Sequence, residues 1–77
     1  KKYNAALEKY NEALARNPNS ALINFNIGCA YYKKGEYKKA IDNFNKASLT
    51  NDIFLEGNAY YNIADSKYRQ AKTKERI

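Results

Sequence analysis

The sequence predicts an all-α protein of antiparallel helix-turn-helix hairpins stacked as a short piece of an α-α superhelix, and three observations predict it. Apolar residues recur at intervals of three and four along most of the chain, the period of a stripe on a helix. One stripe returns further on. Tyr3, Ala6, Leu7, Tyr10 and Ala13 fall over Tyr37, Ala40, Ile41, Phe44 and Ala47 at a displacement of 34 residues, and self-similarity at such a period marks a repeat architecture. Small residues at Gly28, Ala40 and Ala47 alternate with aromatics at Tyr31, Tyr37 and Phe44, which suits helices packed too closely for large side chains at every contact.

The first helix spans about residues 1–16, with Tyr3, Ala6, Leu7, Tyr10, Ala13 and Leu14 on one face. Asn17-Pro18-Asn19-Ser20 ends it, because Pro18 disfavours helix at Asn17 while Asn19 or Ser20 can cap the next helix. The second helix, about 21–33, sets Leu22, Phe25, Cys29 and Tyr32 on one side and Ile27, Ala30 and Tyr31 elsewhere. So much apolar surface implies a helix between two neighbours. Gly28, costly inside a helix by roughly 1 kcal/mol, fits if another backbone passes close to it. Gly35 can take the left-handed conformation that closes this helix. The third helix, about 36–49, turns Tyr37, Ala40, Ile41, Phe44 and Ala47 to the core.

Thr50-Asn51-Asp52 then supplies a turn and a cap, Asp52 standing where Pro18 stood one repeat earlier. Beyond it the register shifts: a displacement of 36 matches Phe25, Asn26, Ile27, Tyr32 and Lys33 to Tyr61, Asn62, Ile63, Tyr68 and Arg69. Two extra residues have entered the connection or lengthened a helix. Gly35 becomes Ala71 and Ala40 becomes Arg76 in this register, so the turn is lost and one long helix is expected over about 53–76.

These residues, a Gly followed by Tyr, then Gly, Ala, Phe and Ala across one unit, make the chain resemble the tetratricopeptide repeat (TPR) family. The resemblance implies one domain over 1–77: the back helix of an incomplete repeat (1–19), a complete repeat (20–52), and the front helix of a following repeat or a long capping helix (53–77). It implies a non-catalytic interaction module whose front helices line a concave groove for an extended peptide or a partner helix. Phe25, Asn26, Cys29, Tyr32 and Lys33, with Tyr61, Asn62, Asp65, Tyr68 and Arg69, are the expected groove residues. Amides there can bond a bound backbone, aromatics can receive its side chains, and Lys33 and Arg69 can meet an acidic group. One subgroup of the family clamps the C-terminal carboxylate of chaperone tails. Asn26 matches one of its asparagines, but Cys29, Asn58 and Asn62 stand where that clamp needs Asn, Lys and Arg, which argues against it.

Composition narrows the alternatives. The 77 residues carry 14 basic and 8 acidic side chains for a net charge of +6, and no His, a balance that permits acidic peptides, nucleic acid or anionic lipid as partners. The lysines fall in separate pairs, Lys1-Lys2, Lys33-Lys34 and Lys38-Lys39, and read first as solvated helix faces. With one cysteine, Cys29, there is neither an intrachain disulfide nor a zinc spacing, and no base stands near Cys29 in sequence to activate it. No cofactor or metal pattern is present, and no apolar run suits a membrane span. Nucleic-acid binding, or a scaffold role without a ligand groove, are the rival functions. Most of the eight tyrosines fall at packing positions, which counts against the first. An opening already in helical phase reads as a segment of a longer protein, with self-association through open repeat edges as a consequence of its short stack.

Overall fold

The computed structural model describes residues 2–75. They form four α-helices, α1 (Lys2–Arg16), α2 (Ala21–Lys34), α3 (Tyr37–Ala47) and α4 (Ile53–Glu75). Each helix packs on the next, and α2 also touches α4. The result is a run of antiparallel hairpins with α2 and α4 side by side in one layer and α1 and α3 behind them.

Local chemistry sets the boundaries. Pro18 follows the last turn of α1, and the Asn17 amide closes that turn by donating to the carbonyls of Ala13 and Leu14 at 3.1 Å each. Ser20 caps α2, its hydroxyl accepting from the Ile23 amide at 3.2 Å. At the other end Gly35 takes φ 83°, in the left-handed region. Its amide donates to Tyr32 at 3.0 Å and the Glu36 amide to Tyr31 at 2.9 Å, the paired bonds of a Schellman closure. Glu36 then bridges the turn, its carboxylate pairing with Lys34 and Lys39 at 2.9 and 3.2 Å. Asp52 starts α4 by accepting from the amides of Phe54 and Leu55.

The core lies in two parts, one on each side of α2. Towards α1, Leu7, Ile27 and Ala30 are buried with Tyr10, Leu14, Ile23 and Tyr31 against them. Towards α3 and α4, Ala40, Phe44 and Ile63 are buried with Phe25, Cys29, Tyr31, Tyr32 and Ile41 around them. Phe44 is 1% exposed, a burial worth roughly 1.5–3 kcal/mol for one side chain. It lies across Gly28, and Phe25 meets it at 5.5 Å between ring centroids.

Three details differ from the sequence reading, and a fourth resolves an alternative it left open. What crowds Gly28 is the Phe44 ring and not a passing backbone. The third helix stops at Ala47 instead of reaching Leu49: the Ser48 hydroxyl donates to the Asn45 carbonyl at 2.7 Å, and Leu49 stands 86% exposed in the turn. Leu22, grouped with the packing face of α2, lies mostly in solvent because that face meets α3 only from Phe25 onward. The two extra residues are resolved as a helix extension. Relative to the preceding repeat, α4 gains a turn at its start, Ile53 to Glu56, while α3 gives up its last turn to the connection. Lys1 and Arg76 lie outside the described residues.

Candidate functional site

The layer made by α2 and α4 leaves a shallow cleft between them. Cys29, Tyr32 and Lys33 line one wall, Asn62 and Asp65 the other, and the buried Phe44 ring forms part of its lining. Its volume is about 200 Å³, below the roughly 300–1,000 Å³ of small-molecule sites. α2 brings Cys29, Tyr32 and Lys33 onto this side because its opposite stripe, Ile27 and Ala30, is drawn against α1. α4 brings Asn62 and Asp65 because Ala59, Ile63 and Ser66 are buried.

The walls are tied together. The Tyr32 hydroxyl donates to the Asp65 carboxylate in a short hydrogen bond. Arg69 pairs with the same carboxylate at 3.6 Å and lies over the Tyr32 ring at 5.6 Å from its centroid. That bond holds the Tyr32 phenol above its ordinary range, with burial and the Asp65 charge adding to the effect and Arg69 opposing it. Tyr37 meets Tyr32 edge-on at 5.4 Å from behind. Burial pushes the Cys29 thiol up and nearby Lys33 opposes it to a lesser degree, so this sulfur is a poor nucleophile at neutral pH. Among the described residues no group of three His, Cys, Asp or Glu is placed to hold a metal.

The ten groove residues predicted from sequence divide. Cys29, Tyr32, Lys33, Asn62 and Asp65 share the α2–α4 cleft, with Arg69 on its rim through Asp65. Arg69 is engaged within the chain, whereas Lys33 has no ion-pair partner among the described residues. Phe25 packs on Phe44 as part of the core. Asn26 lies in a second cleft of about 270 Å³ between α1 and α2, with Lys2, Tyr3, Ala6, Tyr10, Ala30 and Lys33. Lys33 therefore stands on the ridge between the two. Tyr61 and Tyr68 are 73% and 62% exposed and line neither cleft. With Tyr60 they make three tyrosines open to solvent, while the other five, Tyr3, Tyr10, Tyr31, Tyr32 and Tyr37, are partly buried; α4 has no helix beyond it to pack against among the described residues. Sequence reasoning misses Phe44 as a cleft residue, since its stripe position marks it for the core alone.

Comparison with known proteins adds the lineage. The family model described as a TPR repeat matches residues 1–35, and that described as a tetratricopeptide repeat matches residues 21–51. Over all 77 residues the chain is 31% identical to the small glutamine-rich tetratricopeptide repeat-containing protein 2 of Mycosarcoma maydis. It spans 21% of that protein's length.

Proposed function

Because the chain belongs to the tetratricopeptide repeat family, whose repeats generally mediate contacts between proteins, we propose that it is a non-catalytic module that binds a peptide or partner helix across the α2–α4 face. The observation carrying this reading is the composition of the cleft: apolar Cys29, Tyr32 and Phe44 beside Lys33, Asn62 and Asp65. A partner side chain enters against Phe44 and Cys29. The Asn62 amide, and Asn26 across the Lys33 ridge, bond the partner's backbone. Lys33 meets an acidic side chain, and Asp65 with Arg69 keeps the Tyr32 wall in place.

The test is a peptide array followed by calorimetry on the best binders, using the parent chain, Asn26→Ala with Asn62→Ala, and Lys33→Glu. All three should melt alike, since surface changes away from packing move stability by about 0.5 kcal/mol or less. The double variant should lose binding, and Lys33→Glu should lose acidic peptides first. Binding that survives both changes would remove the face from consideration. Affinity that falls steeply with salt for single-stranded nucleic acid, and is absent for peptides, would favour the basic nucleic-acid reading instead.

A further inference from the structure

We propose that the end of the molecule formed by the α2–α3 turn is a second interaction surface, separate from the α2–α4 cleft, and that it holds an acidic, extended segment of a partner protein by charge alone. Between residues 33 and 39 four lysines stand against one glutamate, and Lys33, Lys34, Lys38 and Lys39 are all exposed. Lys34 and Lys39 share Glu36 at 2.9 and 3.2 Å, and both lie over the Tyr31 ring, at 5.9 and 5.6 Å from its centroid. The ring and the carboxylate hold these two ammonium groups side by side. Lys33 and Lys38 have no ion-pair partner among the described residues.

The neighbouring helices extend the charge. α1 begins at this end, where Lys34 donates to the Asn4 side chain at 2.7 Å, and so brings Lys2. The second half of α4 passes here, where Asp65 accepts from Tyr32, and so brings Lys72 beyond the paired Arg69. At the opposite end Arg16 and Lys46 stand against Glu12, Asp52 and Glu56. The net charge of +6 is thus gathered where α2 meets α3, and charge gathered in this way steers oppositely charged partners to one place. A helix packed on the flank of α1 or α4 would lie alongside this end, as α3 lies alongside α2, so the openness of the turn does not depend on how many helices the stack contains.

The surroundings of the lysines select the kind of polyanion. Single-stranded nucleic acid is held by open aromatic rings as well as by charge, but Tyr31 lies beneath two lysines, Tyr32 and Tyr37 meet each other edge-on, and the exposed Tyr68 has Lys72 over it at 6.0 Å. An anionic bilayer is held by buried apolar area together with charge, and the exposed Leu22, Leu49, Ile53 and Phe54 all lie at the opposite end. A run of carboxylates on an extended segment needs only spaced ammonium groups, which the turn supplies.

Fluorescence anisotropy on the full chain tests this with a labelled peptide of alternating glutamate and serine, which has no apolar residue to place in the α2–α4 cleft. Oligothymidylate and vesicles of phosphatidylserine in phosphatidylcholine are the competing probes. The parent should bind the peptide at low ionic strength and release it as salt is added. Lys38→Glu with Lys39→Glu should weaken binding by at least about tenfold, whereas Arg16→Glu with Lys46→Glu, an equal change in net charge at the other end, should leave it nearly unchanged. The bound peptide should not alter the rate at which a thiol reagent modifies Cys29. A parent that does not bind the peptide would overturn the proposal, as would equal losses in the two double variants or a slowed Cys29, which would put the peptide in the cleft. Tighter binding of oligothymidylate or of the vesicles, lost in the same turn variant, would assign the surface to that polyanion instead. If circular dichroism finds the turn variant unfolded, Lys38→Glu alone, which breaks no ion pair, takes its place with the same direction of effect.

Discussion

The Phe44 ring occupies the space of a side chain at Gly28: a Cβ there would stand 2.7 Å from both Cδ1 and Cε1 of the ring. Phe44 is 1% exposed and packs on Phe25, so displacing the ring disturbs the core. Gly28→Ala therefore sets two effects against each other. Helix propensity favours alanine by about 1 kcal/mol, while overpacking a filled core costs about 1–3 kcal/mol. The variant should be less stable by up to about 2 kcal/mol, and Gly28→Leu less stable still, in urea melts. Adding Phe44→Leu to Gly28→Ala should cost less than the two single changes together. Full additivity would mean that the ring and residue 28 do not meet.

Gly57 supplies the opposite case. It too lies inside a helix, but nothing stands within 4 Å of where its Cβ would be. Here only propensity acts. Gly57→Ala should stabilise the chain by roughly 0.5–1 kcal/mol, read as a higher melting temperature. A loss would place an unseen neighbour on the start of α4.

Much of this arrangement was legible in the sequence. The displacement of 34 placed α1 and α3, and the caps at Ser20, Gly35 and Asp52 follow from local chemistry that does not depend on tertiary context. At the displacement of 36 the buried Ile63 and Ser66 of α4 answer to the buried Ile27 and Ala30 of α2. Other features depend on which neighbours are present. Tyr61 and Tyr68 carry the same residue types as Phe25 and Tyr32, yet lie open because α4 lacks the helix that α3 provides for α2. The extra turn of α4 was equally hidden, because an insertion can lengthen a turn or a helix without changing the flanking pattern. The Tyr32–Asp65 bond depends on the spacing between two helices that are 33 residues apart at this contact, and no local rule supplies that distance.

Ser66 departs from the pattern of its own position. It is fully buried, its hydroxyl has no partner among the described residues, and its counterpart one repeat earlier is the buried Ala30. An unsatisfied buried polar group costs about 1–3 kcal/mol. Ser66→Ala removes it and leaves hardly any void, so denaturant melts should show a gain of about 1 kcal/mol. A destabilised variant would mean that the hydroxyl does have a partner in solution.

Cys29 reports on the cleft. Its thiol is partly buried beside Lys33, and burial holds its pKa above the usual thiol range, so less thiolate is present at neutral pH than in an open peptide. Reaction with a thiol-specific disulfide reagent should be slower than for the same chain in denaturant. It should slow again when a peptide occupies the α2–α4 cleft. Equal rates in the folded and denatured chain would contradict both the burial and the direction of the shift.

The Tyr32–Asp65 bond makes one tyrosine distinct from the other seven. Since the neutral phenol donates to the carboxylate, folding favours the protonated form and the Tyr32 pKa is raised, chiefly by that bond. The stability linked to this raised pKa is intact below the ordinary tyrosine range, around 10, and is lost as pH rises through Tyr32's higher value. In a phenolate absorbance titration Tyr32 should ionise last, and Tyr32→Phe should remove that final step. Asp65→Ala should bring it back among the other tyrosines, because both the acceptor and the negative charge are gone. Burial would remain and Arg69 would still oppose it, so the step should fall well below its position in the parent chain. A late step that persists in Asp65→Ala would separate Tyr32 from α4, and with it the tie that holds the two walls of the cleft together.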